Sequence, residues 1–154
     1  MSIPAAFATL SGSWSGKNQL WLDPSAPPTE SPTTLTAGTT AQGKFVTLAY
    51  TWSHEGTPHD GLLVVGQNPE GGAVQASWVD SFHNGDKFMI LNGGVNDEGN
   101  ITLKGSYSAG EYGEWGWQIL LLPPSGDSFT LKMDNIAPDG THYPAVAAVY
   151  SRKH

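Results

Sequence analysis

The run Asp80-Ser81-Phe82-His83 puts an acid, a hydroxyl and an imidazole within four residues. These are the groups from which general acid–base and nucleophilic chemistry are assembled. Along an extended strand, neighbours point to opposite faces, so Asp80 and Ser81 cannot belong to one triad. Asp80 with His83, where the strand bends into its turn, is the pair that could serve a hydrolase or isomerase. The other histidines, His54, His59, His142 and His154, form no His-x-His or His-x-x-x-His pair. A metal would have to be gathered from separate strands, as Asp80, His83 and His54 could be at one rim; nothing in the spacing favours this, and no metal is expected. Haem is a sharper alternative, because a single inward histidine on a late strand can hold it. His142, beside Tyr143 at the start of the last expected strand, is the position for that role, though it also reads as a turn residue. Gly71-Gly72 and Gly93-Gly94 read as turns, and no phosphate-loop pattern is present. The spacing therefore names no cofactor.

The scaffold for these residues is a chain of 154 residues, read as one domain over 1–154 with its own core. Cysteine is absent, which excludes disulfides and thiolate metal sites. Net charge is -7, and Lys17, Lys44, Lys87, Lys104 and Lys132 are scattered, with only Arg152 and Lys153 adjacent. Neither nucleic acid nor an anionic membrane is an expected partner for such a surface. Met1 to Leu10 lacks the basic start and long apolar run of a secretory signal. No stretch reaches the roughly 18 apolar residues of a membrane helix, so a cytoplasmic protein without membrane insertion is expected. In that setting Asn100-Ile101-Thr102, although it fits the triplet, is not expected to be a glycosylation site.

Nineteen glycines and eleven prolines interrupt every window long enough for an amphipathic helix. Pro4 to Leu10 has room for one short helical turn. The rest reads as strands over 12–22, 33–40, 45–53, 62–67, 73–82, 87–91, 101–107, 114–122, 128–136 and 143–151, with turn clusters between them. A meander of about ten short strands hides its edges completely by closing. The expectation is an all-β, antiparallel, up-and-down closed barrel, with a two-sheet sandwich as the alternative. Its interior would hold side chains or one small ligand.

Residues two apart share a face of a strand. Val46, Leu48, Tyr50 and Trp52 make one apolar row; Val74, Ala76, Trp78, Asp80 and Phe82 make another. Trp115, Trp117 and Ile119 make a third, and Phe129, Leu131, Met133 and Asn135 a fourth. Asp80 travels with an aromatic face, where a carboxylate must be hydrogen-bonded or neutralised. It reads equally as a structural acceptor for an indole or backbone N–H and as a ligand contact. Asn135 ends its apolar row in a similar way.

Gly12-Ser13-Trp14-Ser15-Gly16, near the start of an all-β chain, is similar to the Gly-x-Trp signature of lipocalin-like (calycin) barrels. Trp21 to Pro24, Gly43 to Tyr50, Gly61 to Gly66, Ala76 to His83 and Tyr143 to Tyr150 extend the likeness in order over most of the chain. Together these pieces resemble the bacterial DUF1579 family of calycin-like domains. The resemblance implies a closed barrel with an internal cavity and, for Trp14, packing across the closed end; it implies no activity.

Two functional classes follow. The first is a binder of a small apolar or amphipathic molecule, held by Tyr50, Trp52, Trp78, Trp117 and Met133 and oriented by Asp80 or Asn135. The second is an enzyme using Asp80 and His83, which the residues favour less. Either could be a monomer or a homodimer, since no heptad or exposed apolar stripe specifies assembly.

Overall fold

The computed structural model describes residues 1–70 and 72–154. The turn expected over 68–72 includes Gly71, which lies outside them. Ten strands run in chain order: β1 (Gly12–Leu20), β2 (Thr29–Thr40), β3 (Phe45–His54), β4 (Thr57–Gln67), β5 (Val74–Asp80), β6 (Met89–Val95), β7 (Ile101–Ser108), β8 (Glu114–Ser125), β9 (Ser128–Ile136) and β10 (His142–Arg152). Each pairs antiparallel with its neighbours and β1 closes on β10, so the sheet is the expected closed barrel. Helix among the described residues is limited to two 3-10 turns, Ala5–Phe7 and Gly110–Tyr112. None of it is long and apolar enough to cross a membrane.

Several strands differ in extent from the sequence reading. Strand β4 starts at Thr57, not Leu62, because Glu55 and Gly56 (φ 51° and 79°) make a two-residue hairpin turn that pairs Thr57 with His54. Strand β2 starts at Thr29, not Thr33, and includes Pro32. Proline removes a ladder donor, but Pro32 precedes the β2–β3 pairing, which begins at Thr34. Pro58 likewise precedes the β4–β5 pairing, which begins at Gly61. Pro123 and Pro124 fall at the register shift between Leu122 and Ser125. Every one of these prolines thus sits where a missing N–H is tolerated. Strand β6 runs to Val95, so Gly93 and Gly94 are strand residues and not a turn. A Cβ on Gly93 would lie 1.7 Å from the Thr102 carbonyl oxygen, so the close approach of β7 requires glycine there.

Alternation places Val46, Leu48, Tyr50 and Trp52 inside, with Val74, Ala76, Trp78 and Asp80 facing them from β5. Phe82 does not continue the β5 row: the strand ends at Asp80, and Phe82 is exposed. One end of the barrel is sealed by the chain start. Phe7 packs edge-on against Phe129, and the Trp14 indole donates to the Leu10 carbonyl at 2.9 Å. The Arg152 guanidinium lies 4.2 Å over the Trp14 ring and donates to the Ser11 and Thr9 carbonyls. Trp14 therefore holds the closed end. The opposite end carries the turns after β3, β5, β7 and β9.

Candidate functional site

The site is organised by one row across three strands. Tyr50 on β3 pairs with Gly61 on β4, which pairs with Asp80 on β5. Neighbouring strands lie about 4.8 Å apart, so a side chain must reach over β4 to join the outer two. Gly61 leaves that lane open; a Cβ there would lie 2.2 Å from the Tyr50 hydroxyl. The hydroxyl donates to Asp80 Oδ2 at 2.6 Å and accepts from Trp78 Nε1–H at 2.8 Å. Burial and the negative charge of Asp80 push the Tyr50 phenol well above its ordinary value, so it remains a neutral donor.

Asp80 Oδ1 accepts the backbone N–H of Phe82 at 2.8 Å and of His83 at 3.0 Å. A carboxylate bonding the N–H groups two and three residues on is a turn-forming device. Here it curls the chain after β5 back over the open end and turns the His83 ring inward. That ring stacks on Trp52 (centroids 5.5 Å apart, 19° between planes) and lies 5.3 Å from Trp117, with Trp78 behind. Asp80 and His83 meet through this backbone bond. Ser81 faces outward, where its hydroxyl meets His59 Nδ1 and accepts from the Asp60 N–H.

His83 divides the interior into two chambers. The inner one, bounded by Tyr50, Trp52, Asp80 and Met133, has a free volume of about 10 Å³, the threshold for a single water. The outer one, at the mouth, holds about 240 Å³ and is bounded by Trp78, Phe82, His83, Asn84, Met89, Tyr107, Trp117 and Asn135. Of the residues expected to hold a ligand, Trp78, Trp117 and Asn135 line the mouth chamber. Tyr50, Trp52, Asp80 and Met133 pack the filled space beneath it. A larger recess of about 390 Å³ lies on the outer wall beside Asp60, Lys87 and Phe88, and contains no buried unpaired side-chain atom.

Among the described residues two buried side-chain atoms have no hydrogen-bond partner, His83 Nε2 and Trp117 Nε1; both residues line the mouth chamber, and His83 borders the inner space as well. Beside them the Tyr107 hydroxyl makes a short bond to Asn135 Oδ1. Tyr107 and Met89 were not singled out from the sequence, yet their signal was present. Extending the two-residue alternation along Ile101, Leu103, Gly105 and Tyr107, and back from Leu91 to Met89, points both inward.

The remaining candidates lie elsewhere. His142 is exposed, meets Asp134 at 3.3 Å and lines neither chamber, so the outward start of β10 removes it from the axial role. His54 faces Glu55 and Phe82. Among the described residues no three His, Asp or Glu side chains converge as metal ligands, so Asp80, His83 and His54 do not form that cluster.

Burial holds the His83 ring below its ordinary value, with His59 acting in the same direction and the Asp80 charge opposing. The folded ring is therefore neutral where an unfolded one, near pH 6.5, begins to take up a proton. The unfolded state then binds more protons, so stability rises with pH in this window. His83 contributes fully above about pH 6.5, and its contribution is lost as pH falls from there toward the folded value. Thermal melts between pH 7.5 and about 5 should show this loss, and His83→Gln should flatten it; an unchanged slope in the variant would refute the assignment.

The profile of the family described as "Protein of unknown function (DUF1579)" matches residues 4–152, and the chain belongs to this family. No curated protein matches it. Among solved structures, the crystal structure of Rv2717c from M. tuberculosis is similar, with a TM-score of 0.62 and 19% identity over 100% of both chains. At that identity the likeness concerns the fold alone.

Proposed function

We propose that this barrel binds a small amphipathic molecule in its mouth chamber, against Trp78, Met89 and Trp117 and oriented by His83, Tyr107 and Asn135. The observation that carries this reading is the pair of unpartnered buried atoms, His83 Nε2 and Trp117 Nε1, on two residues that line one cavity. A buried polar group without a partner costs about 1–3 kcal/mol, and a ligand that satisfies both recovers that cost on binding. Trp78, Phe82, Met89 and Trp117 give the chamber its apolar surface, and His83, Asn84, Tyr107 and Asn135 give it as many polar side chains, a composition that suits an amphipathic ligand. Tyr50, Trp52, Asp80 and Met133 serve it from below by fixing the loop that carries His83.

Catalysis by Asp80 and His83 has weaker support. Both Asp80 oxygens are occupied, by Tyr50 and by two backbone donors. His83 would act without a second acid or base aimed at the chamber. Native mass spectrometry of the protein purified from its own host tests the binding reading. A retained small molecule is expected, and it should be depleted in Trp117→Phe, which removes one of the two unpaired atoms. Protein that emerges bare, with Trp emission unmoved by small aromatic solutes, would overturn it.

A further inference from the structure

The chemical class of the ligand follows from the charges around the chamber, an inference that rests on the binding reading above. The wall contains no Lys, Arg, Asp or Glu among the described residues. Its polar groups are two indoles, of which that of Trp78 is engaged by Tyr50, an imidazole, a phenol and two carboxamides. The Trp117 indole can only donate, and the Asn135 amide nitrogen is a further donor once its oxygen is engaged by Tyr107. The uncharged acceptors that accompany these donors in the wall, on His83 and Asn84, carry no full negative charge, and no carboxylate among the described residues lines the chamber to offset the desolvation of a cation. An anion is opposed from the other side. No fixed positive charge lines the chamber, Asp80 lies directly beneath His83, and the whole chain carries a net charge of -7. Desolvating a carboxylate without a cationic partner is costly. What remains is a neutral molecule with a strong acceptor.

We propose that the mouth chamber selects uncharged ligands that present a carbonyl-type acceptor to the Trp117 indole N–H and the Asn135 amide, and that it rejects carboxylates and cations of the same size. Its volume of about 240 Å³ lies below the roughly 300–1,000 Å³ of sites for drug-sized ligands, which suits a single-ring molecule with one polar substituent.

A series of one ring and four substituents separates the terms: benzamide is neutral with an acceptor, benzoate anionic, benzamidine cationic, and toluene neutral without an acceptor. Each is titrated into the full chain at pH 7.5, following the six Trp indole N–H resonances, with Trp117 identified by its absence in Trp117→Phe. Benzamide is expected to move the Trp117 resonance and to bind at least tenfold more tightly than benzoate or benzamidine, with toluene weaker. In Asn135→Asp, where a carboxylate still accepts the Tyr107 hydroxyl, preference should pass to benzamidine. Benzoate or benzamidine binding as well as benzamide, or an unchanged order in Asn135→Asp, would overturn charge selection while leaving a binding chamber. Toluene matching benzamide would overturn the acceptor. If all four leave the Trp117 resonance unmoved at millimolar concentration, the binding reading fails with the selection built on it.

Discussion

Trp14→Ala is expected to lower the unfolding free energy by about 4 kcal/mol, within the 3–5 kcal/mol range for deleting a buried large aromatic. The indole is fully buried at the closed end, between Phe129 and the Arg152 guanidinium. Its removal opens a cavity, leaves the Leu10 carbonyl without its donor and strips Arg152 of the ring beneath it. The chain start then loses its anchor, because Arg152 holds Thr9 and Ser11 in place from the same position. Trp14→Phe keeps most of the area but loses the N–H and the better cation–π face, so about 1–2 kcal/mol is expected. Urea unfolding of the three proteins checks the order. A loss below about 1 kcal/mol for Trp14→Ala would mean that Trp14 does not hold the end closed.

Asp80→Ala is expected to cost about 3 kcal/mol, moving the urea midpoint down by about 1–2 M. Three donors lose one acceptor: the buried Tyr50 hydroxyl and the backbone N–H groups of Phe82 and His83. The hydroxyl pays most, since water cannot easily replace Asp80 there, whereas the two N–H groups can rotate toward solvent. Asp80→Asn should cost less, because an amide oxygen still accepts from Phe82 and His83. The two variants also differ in a second readout. Amide exchange at Phe82 and His83 should accelerate strongly in Asp80→Ala and little in Asp80→Asn, since the loop is tied to the barrel through those bonds. Equal stability loss with unchanged exchange at both amides would show that Asp80 does not organise the loop.

Much of the barrel was legible because its causes are local. Glycine and proline punctuation marks turns, and period-two alternation separates inside from outside, so the ten strands and the rows led by Tyr50 and Trp78 emerge directly. Errors gathered where a local signal had a second meaning. Pro32 and Pro58 fall outside the strands expected over 33–40 and 62–67, yet they belong to strand ends with one partner strand. Gly93-Gly94 looked like a turn, but close strand approach also demands glycine. Phe82 looked like the next inward residue, but the carboxylate of Asp80 ends the strand first.

The acid–imidazole run with which the sequence drew attention to itself shows the same division. Residue order determined that Asp80 faces inward and Ser81 outward, since that depends only on the pleat. It also carried the family membership and the all-β class, which rest on patterns along the chain. Pairing register decided the rest. It set Tyr50, Gly61 and Asp80 in one row, so that the carboxylate is consumed by structural bonds. Closure of the sheet brought Trp117 and Asn135 from β8 and β9 to face His83 from the β5–β6 turn. Those contacts span residues far apart in the chain, and no local preference encodes them; they exist because a closed barrel must bring every strand to one interior.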